Sequence, residues 1–173
     1  MRKLYTVAFP SLTVASARLL AEIRAQHDRQ AALLGPHFTL LFGCDAVDEA
    51  GYVDHVRSVA AGTAAFHVHC AGTQPDSDES GGYVYLVPDR GRADVEALND
   101  ALYTGPMAPH LRKDLAYIAH ITIGHCANAA DAEALSADLN AGGIDIAGGI
   151  DALVVGCVEH GRFVELARFA LRH

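Results

Sequence analysis

His37-Phe38-Thr39-Leu40 recurs as His120-Ile121-Thr122-Ile123. Each copy sets a histidine and a threonine two residues apart, with apolar residues at the second and fourth positions. In an extended strand alternate side chains share a face, so each copy aims one imidazole and one hydroxyl in the same direction. A lone triplet of this kind is a weak signal. With 10 His and 7 Thr in 173 residues, roughly 0.4 such triplets are expected by chance. A matched pair is uncommon, and each member holds a corresponding place in its half of the chain.

The surrounding sequence repeats the same plan twice. Residues 4–9 alternate as a strand and Pro10 closes it. Ser11 or Thr13 can cap a following helix, in which Leu12, Ala15, Leu19 and Ile23 recur at helical spacing. Gly35-Pro36 ends that region, and residues 37–42 read as a second strand. A helix over 47–60 and a strand over 66–71 complete the half, and the acidic, Ser- and Gly-rich stretch 72–82 reads as an exposed connection.

In the second half, Tyr83-Val84-Tyr85-Leu86-Val87-Pro88 echoes Tyr5-Thr6-Val7-Ala8-Phe9-Pro10. A helix over 93–103, a long loop through Gly105, Pro106 and Pro109 to Asp114, a strand over 118–124 and a helix over 130–139 follow. Residues 150–158 and 162–171 form a closing hairpin around His160-Gly161. The expected fold is α+β: one bilobal domain over residues 1–173, with two sheet-and-helix lobes related by a pseudo-twofold. The motif strands face a shared central cleft. Periodicity does not fix parallel or antiparallel pairing.

Composition narrows the function classes. The chain is 51% hydrophobic, enough for a substantial core, and its net charge is −8. An acidic whole argues against a broad nucleic-acid track, which needs a basic face, although residues 1–43 carry a local net of +3. Cys44, Cys70, Cys126 and Cys157 are widely separated, form no C-x-x-C pair and read as reduced thiols. No secretory h-region or membrane-length apolar run is present. The expectation is a cytoplasmic protein without a membrane partner.

Two imidazoles and two hydroxyls suit in-line chemistry at a phosphate. Such a displacement needs a base for the attacking group and an acid for the departing oxygen, on opposite sides of phosphorus. Histidines with near-neutral pKa suit both tasks. The Thr39 and Thr122 hydroxyls can donate to non-bridging oxygens, and such a set requires no metal or other cofactor. Accessory substrate contacts fall to Tyr5 and Tyr83, which are matched across the halves and preferred over Phe9 and Tyr85 for stacking on a base. Arg112, ahead of the second motif, can clamp a phosphate, as can its neighbour Lys113. His67-Val68-His69 beside Cys70 could present two metal ligands on one strand face. No further ligand pair with matching spacing accompanies them, and they read as ordinary strand histidines. Cys126 reads as a small packed hydrophobe.

On these residues the sequence resembles the 2H phosphoesterase superfamily, in particular its bacterial 2′-5′ RNA ligase-like (LigT-like) branch and the related cyclic phosphodiesterases. The two H-x-[T/S]-x strands define that superfamily, and Gly35-Pro36-His37 matches its common proline before the first motif. Ala119 stands where relatives often carry proline, and Cys157 and Phe163 where they often show serine and tyrosine. The resemblance implies a bilobal α+β fold with catalytic His37 and His120 and phosphate-binding Thr39 and Thr122. It implies action on a 2′,3′-cyclic phosphate or a 2′-5′ linkage of a small nucleotide or RNA terminus, with reversible 2′-5′ ligation as a further reaction of the branch. The alternatives are a non-catalytic nucleotide- or RNA-binding module in the same cleft, and a metalloprotein using His67, His69 and a cysteine.

Overall fold

The strands pair antiparallel into two sheets. In chain order the elements are β1 (Leu4–Ala8), β2 (Ser11–Leu12), α1 (Val14–His27), β3 (Phe38–Cys44), α2 (Glu49–Gly62), β4 (Phe66–Cys70), β5 (Gly72–Asp78) and β6 (Gly81–Val87). They continue with α3 (Arg92–Leu102), a 3-10 helix (Gly105–His110) in the predicted loop, β7 (Ile121–Cys126), α4 (Ala129–Ala141), β8 (Ile146–Ile150), β9 (Ala152–Glu159) and β10 (Arg162–Ala170). The computed structural model describes residues 2–114 and 116–173. A seven-stranded sheet runs β10-β9-β1-β3-β7-β6-β5, and a three-stranded sheet runs β2-β8-β4.

The motif strands β3 and β7 are neighbours at the middle of the large sheet, joined at the pair Phe38↔Ile121. On either side the order is symmetric: β1 flanks β3 as β6 flanks β7. The echo between the half-chains holds in register, since Val7 lies opposite Thr39 as Tyr85 lies opposite Thr122. One buried cluster gathers Phe38, Leu40, Leu41, Ile121, Ile123 and Leu86 from the sheet with Leu20, Tyr52, Val56, Val95 and Leu98 from α1, α2 and α3. Each such side chain contributes about 1.5–3 kcal/mol on burial.

Local signals set the boundaries. Thr13 caps α1 by accepting the Ser16 N–H at 3.1 Å, and Asp48 and Asn128 cap α2 and α4 in the same way. His160 and Gly161 join β9 to β10 with φ of 49° and 74°. Positive φ at both central residues matches the twist of a two-residue hairpin. No helix among the described residues is long and apolar enough to cross a membrane.

Three expectations change. The stretch 72–82 is not a loop connection: residues 72–78 form β5, the edge strand, paired residue by residue with β6. A one-neighbour strand tolerates Pro75, and its acidic side chains discourage edge-to-edge association, so its composition mimics a loop. The buried face of α1 is Ser16, Leu20, Ile23 and Arg24, while Leu19 is exposed; two polar members of that face hide it from an apolar count. Finally, β2 and β8 add a small sheet. The Gly148-Gly149 pair in β8 obscured its strand character by removing two side chains from the alternation.

Candidate active site

Phe38 and Ile121 oppose each other with both side chains in the core. Their neighbours along each strand therefore point to the opposite face. Continued one residue each way, the antiparallel register sets Thr39 against His120 and His37 against Thr122. The four motif side chains occupy one patch, with the imidazoles on its diagonal at a backbone separation of about 7–8 Å. Among the described residues neither threonine hydroxyl has a hydrogen-bond partner within the protein.

A bulge follows the motif at the same place in both halves. Between Thr6↔Leu41 and Val7↔Thr39 the extra residue is Leu40; between Val84↔Gly124 and Tyr85↔Thr122 it is Ile123. These are the fourth motif positions. Each bulge buries two consecutive residues, Leu40-Leu41 and Ile123-Gly124, and resets the alternation. Phe42 and His125, each five residues beyond a motif histidine, thereby return to the cleft side of the sheet.

The two motif imidazoles are held alike. His37 Nδ1 donates to the Gly35 carbonyl at 2.8 Å, and His120 Nδ1 donates to the Ile118 carbonyl at 2.7 Å. A carbonyl only accepts, so Nδ1 carries the hydrogen and Nε2 is the free nitrogen in both rings. Burial pushes His37 down to about 4, against its Gly35 bond, and Arg24 and His120 lower it further. His120 is also lowered by burial, but the Ile118 bond and the Asp76 charge oppose that shift. At His37 the Arg24 charge is opposed by its ion-paired Asp28 carboxylate, so burial dominates at both rings.

A buried network ties α1 to the cleft. Arg24 donates from Nε to Asp28 Oδ2 at 2.7 Å and from its terminal nitrogen to the Leu34 carbonyl at 2.8 Å. His125 Nδ1 donates to Asp28 Oδ1 at 2.9 Å, and the Gln30 N–H reaches the same oxygen at 2.9 Å. The Arg24, Asp28 and His125 side chains are 5%, 1% and 7% exposed. His125 meets Tyr83 edge-on at 5.1 Å between centroids. Tyr83 stacks on Tyr85 at 6.0 Å, and Tyr85 stacks on His120 at 3.8 Å. His125, Tyr83, Tyr85 and His120 thus form one packed column.

The aromatic residues nearest the imidazoles are Tyr85 and Phe9; Phe9 lies 6.2 Å from the His37 ring. Tyr83 stands one step along the column with its hydroxyl bonded to Ser80 and Asp78. The Tyr5 ring lies over Gly43, where an added Cβ would come within 2.6 Å of it. Arg112 lines a cavity of about 330 Å³ beside His120, and its guanidinium is engaged by Asp114 at 2.6 and 2.9 Å. His67 and His69 lie elsewhere, on β4 in the small sheet, and both His69 nitrogens are taken by carboxylates, Asp89 and Asp145, at 2.7 Å. Those two acceptors hold the His69 imidazolium and raise its pKa. All four cysteines are free thiols. Sequence reasoning missed Asp28, Arg24, His125 and Phe42. The first two lie at the end of α1 with no motif or spacing to mark them, and the last two are hidden by the bulges.

The model of the 2′-5′ RNA ligase superfamily matches residues 11–159. Among solved structures, the chain is similar to Escherichia coli LigT complexed with 3′-AMP, at 16% identity and a TM-score of 0.65 over 99% of both chains. It is similar to the same protein complexed with phosphate, at 17% identity and a TM-score of 0.66 over 99% of this chain and 98% of that one. TT0787 of Thermus thermophilus aligns at 16% identity and a TM-score of 0.67 over 98% of each chain. No curated protein sequence matches. At these identities the structures speak for the fold, which is that of LigT, and the family match covers most of the chain: it belongs to the 2′-5′ RNA ligase superfamily.

Proposed function

We propose that the protein opens 2′,3′-cyclic phosphates or cleaves 2′-5′ linkages of small nucleotides or RNA ends, using His37 and His120 as an acid/base pair. The observation that carries this reading is the matched pair of imidazoles. Each is anchored through Nδ1 and leaves Nε2 free, beside two unpartnered threonine hydroxyls on one face of adjoining strands. That E. coli LigT was solved with 3′-AMP and with phosphate supports a ligand of this kind.

In the hydrolytic direction one neutral imidazole takes a proton from water as its oxygen attacks phosphorus. The other, protonated, gives a proton to the ribose oxygen as the P–O bond breaks. One water is consumed, and the two histidines exchange charge states. Both rings are anchored alike and both are pushed down by burial, so either can serve as the base with the other as the acid. Thr39 and Thr122 donate to the non-bridging oxygens, and the phosphate dianion in the transition state stabilises the imidazolium. By microscopic reversibility the roles exchange between cleavage of a 2′-5′ linkage by the neighbouring ribose hydroxyl and its re-formation from the cyclic phosphate.

The test incubates the protein with EDTA, the four 2′,3′-cyclic nucleotides and a 2′-5′-linked dinucleotide, and identifies products. Turnover lost in both His37→Ala and His120→Ala is expected. Tight binding without turnover in the unmodified protein would move the reading to a nucleotide-binding module.

A further inference from the structure

The cavity beside His120 differs chemically from the rest of the cleft. Its walls include Phe42, Tyr85 and Leu111 on the apolar side and Asp76, Ser77 and Asp78 from the end of β5 on the polar side. Of the five large apolar side chains that stay exposed among the described residues, Phe42 (38%) and Leu111 (43%) both stand at this cavity. They offer cover for a flat apolar ligand. At about 330 Å³, the cavity lies near the lower end of the roughly 300–1,000 Å³ typical of small-ligand sites, and suits one nucleoside.

The polar wall is acceptor-rich. Arg112, the cation at the rim, is neutralised by Asp114. Among the described residues no Lys or Arg pairs with Asp76, whose Oδ1 takes only the Ser77 N–H, at 2.8 Å. Such a wall repels a second phosphate and attracts N–H donors. Guanine is the one common nucleobase with two adjacent donors, N1–H and the 2-amino group, which match the two oxygens of a carboxylate. Uracil offers one donor between two acceptors. Adenine and cytosine set a ring-nitrogen acceptor beside their amino group, and that acceptor faces a carboxylate unfavourably.

Resting on the two-histidine reading, we infer that this cavity holds the nucleobase of the substrate and that Asp76 selects guanine through its N1–H and 2-amino group. Asp76 is a specificity-determining residue in this scheme, and the substrate class is a guanosine 2′,3′-cyclic phosphate or an RNA end with guanosine at the cleaved position.

The experiment measures kcat/KM for the guanosine, inosine, adenosine, cytidine and uridine 2′,3′-cyclic phosphates with the unmodified protein and with Asp76→Asn. Inosine lacks only the 2-amino group. The guanosine substrate is expected to exceed the inosine substrate by about tenfold or more, the size of one hydrogen bond to a charged acceptor. In Asp76→Asn that ratio should fall toward one. Asp76 also acts on His120, so absolute rates will move for every substrate; the ratio isolates recognition. A ratio near one in the unmodified protein, a ratio unchanged in Asp76→Asn, or a preference for another base overturns the proposal. Calorimetric binding of 3′-GMP and 3′-IMP separates the two readings. Selective binding without turnover of any substrate sinks the catalytic reading and keeps the guanine site, whereas turnover without base selectivity does the reverse.

Discussion

Replacing Asp28 by alanine orphans three donors at once: Arg24 Nε, His125 Nδ1 and the Gln30 N–H. The most costly is the Arg24 guanidinium, left with the Leu34 carbonyl as its remaining partner in a site where its side chain is 5% exposed. Removing one member of a buried ion pair costs about 3–5 kcal/mol, because the other charge stays desolvated. With a urea slope of about 2 kcal/mol/M, the midpoint should fall by about 1.5–2.5 M at unchanged slope. The double variant Arg24→Leu/Asp28→Ala removes both charges together, and its loss should be smaller than the sum of the Arg24→Leu and Asp28→Ala losses by at least about 1 kcal/mol. Urea melts of the four proteins followed by circular dichroism read this cycle. A loss under about 1 kcal/mol for Asp28→Ala, or strictly additive single losses, would show that the network is solvated and refute the reasoning.

The remaining predictions use the same structure. His37→Ala and His120→Ala should each lower turnover at least about 10²-fold while circular dichroism and urea midpoints stay near those of the parent; full activity in either would break the pairing. His37 is held below 6.5, down to about 4, so between those values the unfolded chain binds the extra proton. Stability should rise with pH across that window and fall as pH drops through it, and urea midpoints at several pH values should show a flatter slope in His37→Ala. An added Cβ at Gly82 would stand 2.2 Å from the Asn128 carbonyl, the cap of α4. Gly82→Ala should therefore cost about 1–3 kcal/mol by forcing β6 and α4 apart, measurable in the same melts. Phosphate binding to the imidazolium form should take up protons and tighten below neutral pH, as calorimetry in buffers of different ionisation enthalpy would report.

Much of this arrangement was written locally. The repeated His-x-Thr pattern marked the two motif strands. The echo of Tyr5 to Pro10 in Tyr83 to Pro88 held to the residue, with Val7 and Tyr85 opposite the two threonines. The His160-Gly161 turn was legible because its chemistry is local. What escaped depended on contacts between distant segments. Counting by twos assumes an unbroken strand, so the bulges at Leu40 and Ile123 moved Phe42 and His125 to a face their parity denied them. Asp28 and His125 are 97 residues apart, and nothing in either neighbourhood announces the other. Residues 72–78 look like a loop because an edge strand has little apolar contact to advertise. For the same reason Asp76 passed as solvated charge until β5 placed it beside His120.

Two imidazoles flanking one phosphorus atom are the centre of the proposed mechanism. Titrating the protein with inorganic phosphate, while following the histidine Nε2 resonances by nitrogen-proton NMR, tests that directly. His37 and His120 are predicted to shift together along one binding curve toward the imidazolium form, and His37→Ala is predicted to abolish the response of His120 at the same phosphate concentrations. Movement of only one of the two rings, or separate curves for each, would contradict it.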